Sequence, residues 1–286
     1  MLKKTGILVL LVLASLSSFA NSDTLKIFSW NIFMVPPFVF KSDQFNRAKM
    51  IGEVLDRSGA DVIILQEVFM EKTRKIIEDK LSKGYIYNSG KPQGGNAFKG
   101  SSGVWVLSRL PLEDVRFVKY KDCKGSDCFS KKGAYVFSVT KNGHKVYIAG
   151  THVQSGPAVV ERQKQFHQLV KESAHVPADV PFLIIGDLNT DLYSPEEYKA
   201  MLDIFKAGDG STVGEKYSYF NENDLAKRFF GGEASSSLDY ILVRDNTQKI
   251  SSIKRTIHRF TSVSFGTYKF NDLSDHYALT GEVVFK

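Results

Sequence analysis

The chain has 286 residues, 43% of them hydrophobic, and a formal net charge of +7 at neutral pH. This length favours one large domain with a substantial core over two small domains. No stretch beyond the first residues is apolar for long enough to cross a membrane, and no repeat divides the chain, which excludes a membrane-embedded or repeat protein. The basic balance favours an anionic partner, either nucleic acid or a membrane surface that bears phosphate groups.

Residues 1–20 have the pattern of a secretory signal peptide. Two lysines precede the apolar stretch Gly6–Leu16, and small residues end at Ala20, where we expect cleavage. The stretch is shorter than the ~20 residues that a membrane span needs, so a cleaved signal is expected rather than an anchor. We therefore predict a secreted protein whose mature chain, residues 21–286, forms a single domain.

Apolar and β-branched runs predict strands along most of the chain. The predicted strands are Leu25–Trp30, Asp61–Leu65, Gly103–Leu107, Ala134–Thr140, Lys145–Gly150, Phe182–Ile185, Leu238–Val243, Ile250–Ile257 and Tyr277–Phe285. Helical periodicity is found at Asp43–Asp56, Glu71–Leu81, Val159–Glu172 and Pro195–Phe205. Strands outnumber helices and several follow one another directly, which favours a layered α/β sandwich with mixed sheets over a purely parallel sheet.

Three stretches between these elements are predicted to be long loops. Ile32–Phe40 is apolar but contains two adjacent prolines, so it can be neither an ordinary helix nor an interior strand. Gly90–Gly103 is rich in glycine, and Gly208–Ser236 carries many Gly, Ser and Asn residues. We predict that the last of these forms an extended excursion before the next strand.

The chain has two cysteines, Cys123 and Cys128, within one short segment. In an exported protein such a pair is expected to form a small disulfide loop. Two cysteines without a nearby histidine are poor evidence for a zinc site.

Polar side chains follow apolar runs at several separate places. These places are Ser29-Trp30-Asn31, Leu65-Gln66-Glu67, Gly150-Thr151-His152, Gly186-Asp187-Leu188-Asn189 and Ser274-Asp275-His276. Each one taken alone could be an exposed polar strand end. Because sheet-based active sites are assembled at the carboxyl ends of strands, the set as a whole predicts an active site.

The first two of these places indicate a hard-cation site. Asn31 and Glu67 each end an apolar strand, and their amide and carboxylate oxygens suit Mg²⁺ or a similar cation. Alternation along the chain puts Asp187 and Asn189 on one face. Such a pair could orient an attacking water molecule and donate a hydrogen bond to a phosphoryl oxygen.

Two histidines have a setting that indicates catalysis. His152 ends a strand, and His276 follows Asp275 just before an apolar run. Asp239, at the start of another strand, could fix the tautomer of a neighbouring histidine. The other histidines are interpreted as surface or packing residues: His144, His167, His175 and His258.

The ordered set of strand-end motifs resembles the endonuclease/exonuclease/phosphatase superfamily over nearly all of residues 21–286. The motifs are Trp30-Asn31, Gln66-Glu67, Gly150-Thr151-His152, Gly186-Asp187-Leu188-Asn189, Leu238-Asp239-Tyr240 and Ser274-Asp275-His276. The resemblance implies one catalytic domain of the α/β (α+β) class, a deoxyribonuclease-like four-layer αββα sandwich with two mixed β-sheets. It also implies metal-dependent cleavage of a phosphoester bond.

Within that superfamily, the chain is more similar to the secreted bacterial neutral sphingomyelinases (sphingomyelinase C). The segments that carry this likeness are Asn31-Ile32-Phe33-Met34, Glu67-Val68-Phe69, Ser130-Lys131-Lys132-Gly133, Gly150-Thr151-His152-Val153-Gln154 and Tyr268-Lys269-Phe270-Asn271-Asp272-Leu273-Ser274-Asp275-His276-Tyr277. The resemblance implies hydrolysis of sphingomyelin to ceramide and phosphocholine, with Mg²⁺ as cofactor and Mn²⁺ or Co²⁺ as alternatives. A monomer that contacts the membrane surface peripherally is expected.

The same resemblance implies a role for each candidate residue. Glu67 holds the metal with help from Asn31, and His276 takes a proton from the attacking water while Asp239 orients its ring. The remaining implied roles are donation to the phosphorane oxygens by His152 and Asn189, positioning of the water by Asp187, and support of the site by Asp275.

Two apolar segments are expected to contact the membrane. One contains Phe38 and directly follows Asn31, and the other contains Val263 and Phe265 and precedes Ser274. Two alternatives to the sphingomyelinase remain open at this point. One is a secreted metal-dependent nuclease of the same fold, for which nucleic acid would be the partner, and the other is a catalytically silent membrane-binding module.

Overall fold

The computed structural model describes residues 23–81, 84–93, 100–232, 234–262 and 270–286. The strands are β1 (Thr24–Asn31), β2 (Val62–Gln66), β3 (Tyr87–Asn88), β4 (Trp105–Ser108), β5 (Glu113–Lys119), β6 (Gly133–Lys141), β7 (His144–His152), β8 (Phe182–Asp187), β9 (Gly208–Asp209), β10 (Ser211–Gly214), β11 (Asp239–Arg244), β12 (Ile250–His258) and β13 (Ala278–Phe285). The helices are α1 (Gln44–Arg57), α2 (Glu71–Glu78), α3 (Val159–Glu172), α4 (Pro195–Phe205) and α5 (Asp224–Phe230), with a 3₁₀ helix at Gly125–Phe129.

The described strands form two mixed sheets. A seven-stranded sheet has the order β10-β12-β13-β1-β2-β4-β3, and a six-stranded sheet has the order β5-β6-β7-β8-β11-β9. In the first sheet β1 is parallel to β2 and antiparallel to β13. In the second sheet β7 is parallel to β8 and antiparallel to β6. The prediction of two mixed sheets is therefore confirmed.

The apolar side chains form three clusters, which show how the layers stack. Along β2, Val62 and Ile64 belong to the cluster between the two sheets, whereas Ile63 and Leu65 belong to a cluster that includes residues of α1 and α2. A third cluster joins the outer face of the second sheet to α3 and α4. Both faces of β2 are buried because successive side chains point to opposite faces of a sheet. The order of layers is the expected αββα sandwich.

Each predicted strand and helix is present, with small differences at its ends. Three strands of two to four residues, β3, β9 and β10, were not predicted, since they are too short to show a pattern. The seven-residue strand β5 was also missed, because it is an edge strand whose first four residues are exposed and whose charged residues interrupt its few apolar ones. The prediction of a loop throughout Gly208–Ser236 was wrong, because this stretch contains β10 and α5. Helix α5 begins after Asn223, whose side chain accepts hydrogen bonds from two backbone amides.

Other sequence predictions have mixed outcomes. The disulfide is confirmed, because Cys123 and Cys128 are joined with their Cα atoms 5.3 Å apart. The signal peptide at residues 1–20 and the membrane contacts Val263 and Phe265 lie outside the described residues. Across the ranges that are described, no helix has both the length and the apolar character needed to span a bilayer.

One glycine allows two strands to approach closely at the carboxyl ends of the second sheet. Gly186, in β8, pairs with Thr151, in β7, and has a φ of 139°. A Cβ atom at this position would lie 1.9 Å from the carbonyl oxygen of Thr151. Because a real Cβ cannot come so close to a backbone oxygen, only glycine fits here. The next pair along the two strands is His152 and Asp187.

We expect Gly186→Ala to lower the free energy of unfolding by more than about 3 kcal/mol, because backbone strain and a backbone clash act together. Gly59→Ala is the matched control, since Gly59 also has a positive φ of 64° but has no atom within 4 Å of the new Cβ. Urea unfolding of both variants measures the difference. Equal losses in the two variants would show that the close approach of the strands is unimportant.

Candidate active site

The strand ends singled out in the sequence lie together at one edge of the sandwich. In the first sheet, Asn31 ends β1 beside its parallel neighbour β2. In the second sheet, His152 and Asp187 end the parallel strands β7 and β8 and lie opposite each other. The antiparallel strand β11 begins at the same edge, with Asp239 opposite Asp187. Residues that are far apart in the sequence therefore meet at one site.

Asn31 joins the two sheets through its side-chain amide. Its Nδ2 donates hydrogen bonds to Glu67 Oε1 and to Asp187 Oδ2, both at 3.2 Å. Its Oδ1 accepts a hydrogen bond from the backbone amide of Phe33 at 3.3 Å. The two predicted metal-site residues, Asn31 and Glu67, are thus in direct contact. The same Asn31 amide also holds the carboxylate of Asp187.

Glu67 follows β2 in a left-handed backbone conformation, with φ 58°. Burial and the negative charge of Asp275 raise the pKa of Glu67 to about 7, although Lys132 and the hydrogen bond from Asn31 oppose the shift. A carboxyl group in this position is ionised at a cost, first because it is buried and second because the negative charge of Asp275 repels it. A cation beside Glu67 would offset both effects.

His276 is paired with Asp239. The ring Nδ1 lies 2.9 Å from Asp239 Oδ2, and Nε2 lies 3.7 Å from Asp187 Oδ2. Burial lowers the pKa of His276, but the negative charges of Asp239 and Asp187 outweigh it and raise the pKa well above its usual value. Because Asp239 fixes Nδ1, the nitrogen that faces Asp187 is Nε2. The predicted His276–Asp239 pair is therefore present.

His152 has the opposite electrostatic environment. Its Nε2 lies 2.9 Å from Lys132 Nζ, which also donates to the carbonyl oxygen of Val153 and forms an ion pair with Asp127. Burial and the positive charge of Lys132 lower the pKa of His152 to about 3. The ring is therefore neutral at physiological pH and accepts a hydrogen bond from Lys132 through Nε2. It can donate only through Nδ1, which has no hydrogen-bond partner among the described residues.

Asp187 occupies the centre of the site. Its Oδ1 accepts a hydrogen bond from the backbone amide of Asn189 at 3.0 Å. Its Oδ2, besides the contact with Asn31, lies 3.4 Å from His152 Nε2. The Asn189 side chain is only partly buried and donates to the carbonyl oxygen of Val153 at 3.3 Å. The two residues predicted to act together are adjacent, and Asn189 is the more accessible of them.

Asp275 directly precedes His276 and is buried. Its Oδ1 accepts a hydrogen bond from the Ser274 hydroxyl at 3.2 Å. Burial raises the pKa of Asp275, while His276 and Arg47 oppose the shift. The structure thus brings all the predicted catalytic and metal-site residues to one edge of the sandwich.

Three further residues contribute to the site and were not assigned a role from the sequence. Lys132 supplies the positive charge beside His152, although its segment is one of those that resemble the sphingomyelinases. The ring of Tyr219 lies 5.2 Å from the ring of His276, and Arg47, in α1, donates from its buried guanidinium to the carbonyl oxygens of Ile32 and Leu273. An arginine among the apolar positions of a helix is a signal that could have identified Arg47.

The donor atoms at this edge suit a divalent metal ion. Glu67 offers carboxylate oxygens, which hard cations prefer, and burial together with the charge of Asp275 raises its pKa, so a cation beside it would stabilise its ionised form. Asn31 would offer its amide oxygen after a turn of the side-chain amide, because Nδ2 now faces Glu67 and Oδ1 faces the backbone amide of Phe33. A second group, formed by Asp187, Asp239 and His276, has ligand atoms within 4.8 Å of one another. In that group His276 and Asp239 already satisfy each other by a hydrogen bond. The better fit is therefore the predicted pair, Asn31 and Glu67.

Comparison with known protein families matches residues 28–276 to the Endonuclease/Exonuclease/phosphatase family. A sphingomyelinase C from Leptospira interrogans is 31% identical over 93% of this chain, which spans 52% of the length of that relative. The chain spans 46% of a second sphingomyelinase C from that species, at 28% identity over 91% of the chain. The chain thus spans about half the length of these two relatives.

Solved structures show the same fold. The crystal structure of sphingomyelinase C from Streptomyces griseocarneus superposes with a TM-score of 0.81 at 28% identity, over 91% of this chain and 99% of that one. A mutant beta toxin from Staphylococcus aureus with bound magnesium ions superposes with a TM-score of 0.79 at 25% identity, over 92% of this chain and 99% of that one. The expected fold is therefore confirmed.

The pKa values of the two site histidines are expected to be shifted in opposite directions in the metal-free protein. At about pH 5 His152 should remain neutral, and at about pH 7.5 His276 should remain charged, whereas ordinary histidines would be in the other state. Lys132→Met should raise the pKa of His152, and Asp239→Asn should lower that of His276. NMR of the ring nitrogens measures both. Two rings that titrate near the usual value would contradict the assigned environments.

The lowered pKa of His152 also sets the sign of a stability effect. Its neutral form is favoured in the folded protein, so this contribution is present above its usual pKa of 6.5 and is lost as the pH falls toward about 3. His276 has a raised pKa, so its contribution is present at low pH and is lost as the pH rises through the folded value.

Proposed function

The chain belongs to the Endonuclease/Exonuclease/phosphatase family, and we propose that it is a secreted, Mg²⁺-dependent phosphodiesterase that hydrolyses sphingomyelin to ceramide and phosphocholine. The observation that carries the proposal is the position of Asp187, between the Asn31–Glu67 pair and the His276–Asp239 pair. The likeness to sphingomyelinases over most of the chain supports the choice of substrate. The signal-like pattern of residues 1–20 supports export.

The proposed cation is Mg²⁺, held by Glu67 with Asn31. Such an ion would supply positive charge that offsets the negative charge on the phosphoryl group, and it would oppose protonation of His276. The oxygen character of both ligands supports a hard cation. Asp275, which raises the pKa of Glu67, adds negative charge behind it.

His276 is proposed to take the proton from the attacking water. Asp239 holds Nδ1, so that Nε2 faces the site, and Asp187 is close enough to that nitrogen to position a water molecule between them. Because the negative charges of Asp239 and Asp187 raise the pKa of His276, the ring can hold this proton and later release it to solvent, while the departing ceramide oxygen takes a proton from water.

Donors on the other side of Asp187 are proposed to bind the phosphoryl oxygens. Asn189 has a partly exposed amide that can donate a hydrogen bond. The Lys132 ammonium already contacts His152, the carbonyl oxygen of Val153 and Asp127, so it contributes positive charge rather than a further hydrogen bond. Preorganised donors of this kind stabilise charge that develops in the transition state. His152 is proposed to assist through Nδ1.

The surface next to the site supports a lipid substrate rather than nucleic acid. The loop Ile32–Phe40 begins beside Asn31, and Phe38 and Val39 on it are 89% and 52% exposed. A nuclease would need lysine and arginine side chains here for phosphate contacts. Phe40, by contrast, packs inward against Phe33. Exposed aromatic side chains suit shallow insertion among lipid headgroups.

The substrate panel that tests the proposal uses sphingomyelin, phosphatidylcholine and plasmid DNA, each with Mg²⁺ and with EDTA. We expect hydrolysis of sphingomyelin that requires the metal. Glu67→Gln should remove most turnover without changing the circular dichroism spectrum, and His276→Ala should lower the rate by ~10²–10⁴-fold. His167→Ala, on the exposed face of α3, is the control and should be nearly neutral. Cleavage of DNA alone would establish the nuclease instead.

We expect Phe38→Ser to weaken binding to sphingomyelin-containing vesicles by ~10-fold or more, because an exposed Phe that inserts among lipids gains apolar burial. Hydrolysis of a water-soluble phosphodiester should be unchanged. Ile86→Ser is the matched control, since Ile86 is 66% exposed and precedes the edge strand β3. Equal losses on vesicles and on the soluble substrate would contradict a membrane role for Phe38. The contacts at Val263 and Phe265 remain predictions.

A further inference from the structure

Two partly exposed tyrosines, Tyr193 and Tyr217, meet at an angle and contact the ammonium group of Lys216. We call this pair of rings the aromatic corner. The rings of Tyr193 and Tyr217 have centroids 5.4 Å apart and an interplanar angle of 66°. The Lys216 ammonium lies 5.3 Å from the centroid of the first ring and 4.9 Å from that of the second. Among the residues that the structure describes, no carboxylate forms an ion pair with Lys216. Its charge is therefore held by the two aromatic side chains, and a side-chain hydrogen bond with Tyr217 raises the pKa of Lys216.

The corner is tied to the active site at both of its tyrosines. The backbone amide of Tyr193 donates to Asp191 Oδ1 at 3.3 Å, and Asp191 is two residues beyond Asn189. Tyr217 directly precedes Ser218, whose hydroxyl accepts a hydrogen bond from the backbone amide of Asp239 at 3.2 Å. The following residue, Tyr219, packs on His276. Both tyrosines therefore lie on segments that adjoin the site.

A quaternary ammonium group is the ligand that such a corner would recognise. It carries a positive charge but no N–H group, so it cannot form the hydrogen bonds by which carboxylates and carbonyls bind a lysine. The faces of aromatic rings attract such a cation through their quadrupoles. The position of the Lys216 ammonium shows that both rings can contact one positive charge at the same time.

We propose that Tyr193 and Tyr217 bind the trimethylammonium group of the phosphocholine headgroup and that Lys216 gives way to it. This proposal rests on the proposed function, because it assigns the headgroup specificity of the same site. Lys216 is exposed and its ammonium is easily rehydrated, so its displacement costs little. The two tyrosines would then select choline esters among phosphodiesters.

Two soluble chromogenic esters separate this role from the hydrolytic chemistry: p-nitrophenyl phosphorylcholine and bis(p-nitrophenyl) phosphate. Tyr193→Leu and Tyr217→Leu are each expected to raise KM for the choline ester by ~3- to 30-fold and to leave KM and kcat for the other ester unchanged. The Phe variants keep the ring faces and should keep the wild-type KM. Tyr87→Leu is the control, because Tyr87 pairs with Ser108 at the end of the first sheet opposite to Glu67. Equal effects on both esters, or no effect, would overturn the proposal.

Direct binding of phosphocholine, measured by calorimetry, tests the aromatic corner without catalysis. The Leu variants of Tyr193 and Tyr217 should bind phosphocholine more weakly, and Lys216→Gln should bind it as well as the wild type or more tightly. Weaker binding by Lys216→Gln would show that Lys216 contacts the ligand, which would overturn its displacement. If the wild type hydrolysed neither ester, the proposed function would fail, but a loss of phosphocholine binding in the Leu variants would still support the corner. Unchanged binding would overturn it.

Discussion

The carboxylate of Asp187 is the point on which the site depends. The two sheets face each other mainly through apolar side chains, and a negative charge at their edge needs compensation from several directions. Asn31 supplies a hydrogen bond from the first sheet, and the charged ring of His276 approaches the same oxygen from the segment before β13. The neutral ring of His152 also lies close, with Nε2 3.4 Å from this oxygen, but it adds no positive charge. A site with this charge at its centre holds its polar groups in fixed positions, which is what preorganised catalysis requires.

The two histidines near that carboxylate differ in pKa because each contacts a different charged group on its other side. His276 has Asp239 behind it and is therefore easily protonated, whereas His152 has Lys132 behind it and is kept neutral. Groups of the same chemical type acquire separate tasks when their surroundings move their pKa values in opposite directions. One ring can therefore carry a proton while the other remains an uncharged hydrogen-bonding group.

The strand-end residues could be predicted from the sequence because a carboxyl end of a strand is visible as a polar residue after an apolar run. Lys132 gave no such signal, because it precedes β6 and reaches His152 only through the register that pairs Gly133 with His152. Helix α5 has seven residues, too few to show a helical period. The orientation of the rings of Tyr193 and Tyr217 likewise depends on where two loops meet, which no local pattern records.

One loop joins the proposed membrane contact to the active site. Ile32–Phe40 starts at the amide that binds Glu67 and carries the exposed Phe38. Its base is held by the Arg47 guanidinium, which donates to the carbonyl oxygen of Ile32 and also to that of Leu273, three residues before His276. Phe40 in turn packs against the rings of α5. If Phe38 inserts among lipids as proposed, a displacement of this loop would be passed through the hydrogen bonds of Arg47 to the segments that carry Asn31 and His276. Docking at a lipid surface and alignment of the reacting groups would then be linked.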